Sequence, residues 1–132
     1  MTRYMFDYDR SYSPPAAVLD IVVDGYDDRF EPEACRAIVD SGADATMFPE
    51  KMLKRINAQR LAPDGLQFVR GVTGAREAVS LYVVRIRIGE IEVGGIRAAA
   101  IGNECIIGRD LLNRLIVELN GLSLDVTVSD GV

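Results

Sequence analysis

The stretch that decides the fold is AIVDSGADAT, residues 37–46. Its first three residues form an unbroken apolar run, as expected of a strand covered on both faces, and Gly42 permits a tight turn directly after Asp40. The pattern predicts a strand that places one carboxylate at the mouth of a buried loop. Such a carboxylate suits acid–base chemistry. The Asp-Ser-Gly triplet is equally typical of a turn whose side chain caps its own backbone, and this alternative stays open.

A second stretch, CIIGRDLLN at residues 105–113, is another apolar strand that ends at a glycine and leads into a short helix. Together the two stretches resemble the retropepsins, the single-domain aspartic proteases of retroviruses and their cellular and bacterial relatives. Residues 40–44 are similar to that family's active-site loop, and residues 106–112 to its Ile-Ile/Leu-Gly-Arg-Asn/Asp-Leu-Leu segment. A glycine-containing hairpin lies between them, where the family has the flap that closes over substrate. The likeness covers roughly residues 18–126, and the helical pattern that begins at Pro49 resembles the bacterial-type members.

The resemblance implies a role for each matching residue. Asp40 would be the catalytic residue, and Ser41 would join the two active-site loops of a dimer, although it is also explained as a plain turn serine. The other implied positions are the active-site loop residues Gly42, Ala43 and Asp44, the flap and substrate-binding residues Gly71, Val72, Thr73 and Gly74, the second-motif residues Ile106, Ile107 and Gly108, and the structural ion pair of Asp44 with Arg109. The flap segment is also typical of an ordinary exposed β-turn.

The stability that the ion pair contributes depends on its burial. If Asp44 and Arg109 are buried, loss of one partner costs about 3–5 kcal/mol. If they are exposed, the pair contributes about 0–1 kcal/mol. On the buried alternative, we expect Arg109→Ala to lose dimer and fold together. Asp110 and Glu104 are expected on solvated faces.

The fold class that the resemblance implies is all-β, a single-domain retropepsin-like acid protease fold. This is a closed or folded β-sheet barrel with a flap hairpin and one or two short helices. Residues 1–15 are interpreted as an N-terminal arm or linker and residues 16–132 as the protease domain. The residue patterns predict a hairpin of strands 17–23 and 30–39, and a helix over 49–57 that packs its Met52, Leu53 and Ile56 face on the sheet. They also predict a flap hairpin and long sheet over 66–101, bent at Gly94-Gly95, and a helix over 109–115. The last predicted element is a hairpin of strands 116–119 and 122–128 turned at Asn120-Gly121.

Composition limits the chemistry that the chain can perform. It has no histidine, which excludes histidine-based zinc sites and Ser–His or Cys–His catalysis. The net charge of −5 argues against nucleic-acid binding. Cys35 and Cys105 lie in apolar contexts and are expected to be free buried thiols, which fits a reducing, cytoplasmic compartment. We expect no metal, no cofactor, no signal peptide and no membrane span.

One active-site motif per chain implies a homodimer, since the reaction of this family needs two carboxylates that share a proton. The predicted function is an aspartic endopeptidase: a water held between two Asp40 carboxylates attacks the peptide bond of a peptide or protein substrate. One alternative is a non-catalytic peptide-binding or dimerisation module on the same fold. A further alternative is a monomeric all-β domain in which the C-terminal hairpin blocks the family's interface.

Overall fold

The protein is organised around one sheet that closes on itself. The structure is a computed structural model that describes residues 2–61, 67–70 and 76–131. Its elements are β1 (Arg3–Asp7), β2 (Val18–Asp24), β3 (Glu33–Val39), β4 (Met47–Phe48), α1 (Glu50–Arg55), β5 (Gln59–Arg60), β6 (Gln67–Arg70), β7 (Arg76–Val79), β8 (Leu81–Ile88), β9 (Ile91–Ala100), β10 (Cys105–Ile107), α2 (Arg109–Leu112), β11 (Ile116–Asn120) and β12 (Asp125–Ser129).

The main sheet has the order β2-β3-β10-β4-β9-β8-β5, and β2 also pairs with β8. That additional pairing closes the sheet and confirms the predicted all-β fold. β2 and β3 form the predicted antiparallel hairpin, whereas β10 runs parallel to β3. Because β10 is inserted between β3 and β4, both motifs of the sequence lie side by side at one end of the sheet.

The long hairpin of β8 and β9 bends where the sequence predicts it. Val84 pairs with Ile96 and Ile86 pairs with Val93, so two glycines, Gly94 and Gly95, lie opposite one residue of β8. Gly95 has a φ of +69°, a conformation that glycine adopts without steric cost. This β-bulge increases the local twist, which helps the sheet to close.

The core lies inside the closed sheet. Met52, Leu53 and Ile56 are buried at the sheet, as predicted for the inward face of the first helix. The largest fully buried side chains, headed by Phe48 of β4, come from β2, β4, β8, β10 and the two helical segments. The second helix is shorter than predicted: α2 ends at Leu112, and residues 113–115 continue as tighter turns in which Arg114 N–H donates to Leu111 O.

The N-terminal segment contributes a strand to a second sheet. β1 pairs with β12, and β12 pairs with β11, to form a second, three-stranded sheet against the core. Tyr4 packs on the β8–β9 turn, where its hydroxyl accepts a hydrogen bond from Glu90 N–H at 2.8 Å. A side chain at Gly89 would overlap the Tyr4 ring, with a Cβ only 2.2 Å from Cζ. The division into an arm and a domain stays a prediction.

The C-terminal hairpin forms, but its turn differs from the predicted Asn-Gly turn. Asn120 pairs with Asp125, which leaves a four-residue loop in which Leu124 has a φ of 54°. The Asn120 side chain accepts a hydrogen bond from Ser123 N–H at 3.1 Å. Asn120 therefore caps the longer loop instead of occupying a two-residue turn, and β12 begins at Asp125.

Candidate active site

Asp40 stands at the end of β3, beside the end of β10. Ile106 and Ile107 pair with Ile38 and Val39 in parallel register. The ladder continues one residue further, because Asp40 N–H donates to Ile107 O at 2.9 Å. The backbone of the proposed catalytic residue is therefore fixed by the second motif. This is the physical reason why the two motifs belong together.

The chain turns sharply after Asp40. Asp40 Oδ1 accepts a hydrogen bond from Gly42 N–H at 2.9 Å, and the Asp40 carbonyl accepts one from Ala43 N–H at 3.1 Å. The side chain thus caps its own turn, as the structural alternative predicts. Among the described residues no donor reaches Oδ2. Ser41 and Gly42 are exposed and Asp40 is half-buried, so the carboxylate has one oxygen fixed and one open.

Gly108 allows the two motifs to pack backbone to backbone. A Cβ at this position would lie 2.5 Å from the carbonyl carbon of Ala45 and 2.6 Å from its oxygen. The close approach also lets Arg109 N–H donate to Ala43 O at 2.9 Å. No residue with a side chain fits here without moving the active-site loop, which explains the glycine that ends the second motif.

Asp44 and Arg109 form the predicted ion pair, and Arg109 Nη1 also donates to Ser41 O at 3.1 Å. Both partners stay in contact with water in the single chain, since 46% of the Arg109 side chain and 53% of the Asp44 side chain are exposed. Of the two alternatives that the sequence left open, the structure has the exposed one. An ion pair this exposed contributes little to the stability of the fold.

The sequence reasoning missed a buried connection between the same two segments. Thr46 is fully buried, and its N–H donates to both carboxylate oxygens of Asp110, at 3.0 and 3.1 Å. The Thr46 hydroxyl donates to Asp110 Oδ1 at 2.7 Å and accepts from Gly108 N–H at 3.2 Å. Asp110 also accepts from Leu111 N–H at 2.8 Å. The expectation of a solvated Asp110 is therefore wrong.

Thr46 is the residue from which this connection could have been predicted. It stands inside the run from Ala43 to Phe48, close to the apolar residues that enter the core, where a hydroxyl must find a partner. The carboxylate of Asp110, in the first turn of α2, satisfies it. We call this group, Thr46, Gly108 and Asp110, the loop anchor.

A small apolar cluster includes Val79 of the flap strand β7 and lies next to the second motif, whose Ile106 pairs with Met47. Val79, Leu81 and Ala99 are buried in it, and Ala45 and Met47 pack against it from the active-site loop. Ile107 belongs to the main core, whereas Ile106 is half-buried and pairs with Met47.

β6 and β7 pair antiparallel, from Gln67 with Val79 to Arg70 with Arg76, so the predicted hairpin is present. The flap-tip residues Gly71, Val72, Thr73 and Gly74 lie outside the described residues. In the described part of the chain, no three His, Cys, Asp or Glu side chains form a group that could hold a metal ion. No helix within the described ranges is long and apolar enough to cross a membrane.

Comparison with known proteins agrees with this geometry. Two solved structures share the fold: a retropepsin-like aspartic protease from Rickettsia conorii, with a TM-score of 0.59 and 11% identity over 96% of this chain and 89% of that one; and the EIAV protease, solved with the inhibitor HBY-793, with a TM-score of 0.56 and 17% identity over 74% of this chain and 86% of that one. No curated protein matches the sequence.

The family model described as "gag-polyprotein putative aspartyl protease" matches residues 29–114, well over half of the chain. The matched region contains Asp40, the loop anchor and the Asp44–Arg109 pair. The chain therefore belongs to the gag-type aspartyl protease family and is a retropepsin-like aspartic endopeptidase.

Proposed function

We propose that the active enzyme is a homodimer in which two Asp40 side chains, one from each chain, face each other and hold a water between them. The observation that carries this proposal is that one chain supplies one Asp40 loop, with one carboxylate oxygen fixed by Gly42 and the other open. Two carboxylates at close range cannot both ionise, so the pair keeps one proton. The ionised member takes a proton from the water while the protonated member polarises the scissile carbonyl.

Other residues of the loop support this chemistry. Ser41 and Gly42 are exposed, which suits a hydroxyl that reaches the partner loop and a backbone that contacts an extended substrate. The strands β6 and β7 suit a flap that would lie over such a substrate and add strand-like hydrogen bonds. On this proposal, the residues 71–74 form the tip that closes over the peptide.

The substrate is proposed to be a peptide or protein segment in extended conformation. The small apolar cluster beside the loop would favour apolar side chains. The negative net charge of −5 supports a protein substrate over a nucleic-acid partner. Cys35 and Cys105 are both free thiols, which supports a reducing compartment such as the cytoplasm.

The test combines cleavage and association. Wild type and Asp40→Asn are incubated with a peptide library between about pH 4 and 7, where a carboxylate pair with one proton is functional, and the mass of each sample is measured by light scattering. We expect cleavage by wild type only, with both proteins dimeric. Cleavage by Asp40→Asn at the wild-type rate would refute the role of Asp40.

A mixing experiment tests whether both carboxylates are needed. When wild type exchanges subunits with an equal amount of Asp40→Asn, about half of the wild-type chains acquire an inactive partner. Activity per wild-type chain should then fall to about half. If a single chain were sufficient, the activity per wild-type chain would not change.

A further inference from the structure

Three sulfur-containing side chains, those of Cys35, Cys105 and Met52, pack in the same core between β3, β10 and α1. Cys105 pairs with Ala37, which lies two residues after Cys35 on the neighbouring strand. Because side chains alternate along a strand, both cysteines point to the same face of the sheet. That face is covered by Met52 of α1, which is 2% exposed, and both cysteines pack against the same core.

Two of the sulfur atoms are in direct contact, and the third belongs to a side chain on the same face of the sheet. Cys105 Sγ lies 3.8 Å from Met52 Sδ. Cys35 is the diagonal neighbour of Cys105 on the same face of the sheet, and interaction between the two thiols raises the pKa of Cys35 and lowers that of Cys105. Two thiols and one thioether therefore lie on one face of the sheet, and sulfur is the only donor element that these three side chains offer. We call these residues, Cys35, Met52 and Cys105, the sulfur cluster.

A disulfide does not fit the sulfur cluster. Strands about 4.8 Å apart and an offset of two residues put the Cα atoms of Cys35 and Cys105 about 8 Å apart. A disulfide needs a Cα separation below about 7 Å, so closing it would require β3 and β10 to shift. A bridge through a metal ion spans a longer distance, because the ion lies between the two sulfur atoms.

The spacing of the sulfur cluster fits a single first-row metal ion. Bonds from such ions to thiolate sulfur are about 2.3 Å long, and three sulfur atoms around one ion in a plane then lie about 4.0 Å apart. The observed 3.8 Å between Cys105 and Met52 matches this separation. Thiolate and thioether ligands without nitrogen or oxygen select soft ions, above all Cu(I).

The surroundings suit a cation. The carboxylates of Asp20, Glu33 and Glu104 lie close enough to raise the pKa of the nearby thiols through their negative charge. Asp20 and Glu33 are also paired with Arg36 and Arg55, so part of their charge is compensated. Both cysteines are half-buried while Met52 is buried, which leaves the cluster accessible from its cysteine side.

We propose that the sulfur cluster binds one Cu(I) ion, with Cys35 and Cys105 as thiolate ligands and Met52 as the thioether ligand. Binding replaces the two thiol protons, which pass to solvent, and involves no change in the oxidation state of sulfur or copper. The ion would join β3 and β10, the two strands that lead to Asp40 and Gly108. This site is separate from the proteolytic chemistry and does not depend on it.

The test is a titration of the reduced, full-length protein with Cu(I) under anaerobic conditions, in competition with a chromophoric Cu(I) chelator. We expect one ion per chain and a rise in the melting temperature. Cys35→Ser and Cys105→Ser should lose the binding, and Met52→Leu should weaken it by about tenfold or more. Met5→Leu is the matched control, since Met5 is 66% exposed on β1, and it should bind as wild type does.

Several outcomes would overturn the proposal. Equal affinity in wild type and Cys35→Ser would exclude the cluster as the ligand set. Unchanged affinity in a folded Met52→Leu, or X-ray absorption that shows fewer than three sulfur neighbours, would exclude Met52. Formation of a Cys35–Cys105 disulfide, seen as a loss of two hydrogens by mass spectrometry, would identify the pair as a redox switch instead. Circular dichroism of each variant shows whether it remains folded.

Discussion

Two connections hold the active-site loop to the segment that contains α2, and they differ in their environment. The Asp44–Arg109 pair carries full charges but is about half exposed on both sides. The loop anchor contains one carboxylate, yet Thr46 is fully buried and every donor in the network is satisfied. Water weakens the attraction between the exposed Asp44 and Arg109, but it cannot replace the hydrogen bonds that the buried Thr46 makes. The residues that stand out in the sequence are therefore not those that contribute most to holding the loop.

The largest effect is expected at a second Asp–Arg ion pair, which is more buried than Asp44–Arg109 and therefore tests the role of burial. Asp24, the last residue of β2, forms an ion pair with Arg85 at the end of that strand farther from Asp40. Only 12% of the Asp24 side chain and 31% of the Arg85 side chain are exposed. Arg85→Ala would leave a buried carboxylate unpaired and should cost about 3 kcal/mol in the free energy of unfolding, the lower end of the usual range, since Arg85 is partly solvated. Urea unfolding measures this loss.

The same pair gives a pH dependence with a defined sign. The hydrogen bond from Arg85 lowers the pKa of Asp24 in the folded state. The stability from this pair is therefore present above the ordinary aspartate pKa of about 3.9 and is lost as the pH falls through the folded value. The difference between wild type and Arg85→Ala should shrink on acidification below pH of about 4. A difference that stays constant would mean that Arg85 acts through packing alone.

Asp110→Ala should have the next largest effect. It removes the acceptor for two donors of Thr46 and for Leu111 N–H. Unfolding should become easier by about 2–3 kcal/mol, because buried donors lose a charged partner. Asp110→Asn is the matched control, since it keeps one acceptor oxygen and should lose less. If Asp110→Ala unfolds at the wild-type urea concentration, the loop anchor does not hold the loop.

Thr46→Val changes the loop anchor without changing its size. The hydroxyl disappears, and Gly108 N–H loses its acceptor in a buried position. We expect a loss of about 1–2 kcal/mol, with a reduced kcat for peptide cleavage because the loop that carries Asp40 is less firmly placed. Thr127→Val, at a half-buried position on β12, should change neither quantity. Equal behaviour of the two variants would argue against a specific role for Thr46.

Arg109→Ala should have the smallest effect on the fold, about 0–1 kcal/mol for the monomer. This revises the expectation from sequence that the variant loses dimer and fold together, because the pair is exposed in the single chain. The measurement is urea unfolding at concentrations where light scattering gives a monomer. A loss larger than that of Asp110→Ala would reverse the ranking of the two connections.

Much of the fold could be predicted from patterns within short segments of the sequence. The β2–β3 hairpin, the buried face of α1 and the bend at Gly94-Gly95 were predicted, because each depends on the periodicity or glycine content of one short segment. The two motifs located the candidate site for the same reason. What the sequence did not show involved partners distant in sequence: the pairing of β1 with β12, and the hydrogen bonds of Asp110 with Thr46, 64 residues away. A single sequence shows that a buried polar group needs a partner, but not which one it finds.

The C-terminal turn shows a different limit. Asn120-Gly121 is the strongest short signal for a two-residue turn. The register of β11 and β12 instead makes Asn120 a paired strand residue, with a longer loop after it. In this register Val126 and Val128, which pair with Leu119 and Val117, are buried or packed on the core, so the turn signal alone did not fix the pairing of the strands.

The parallel pairing of β3 with β10 also sets the order in which the site is made. During synthesis the β2–β3 hairpin can form early, but the strand beside it and the carboxylate that anchors Thr46 are translated more than sixty residues later. Bringing such distant segments together costs chain entropy before their contacts repay it. On a nascent chain Asp40 is therefore an unanchored carboxylate. Proteolytic competence arises only after residue 110 has been added, which delays any cleavage of the polypeptide by its own active site.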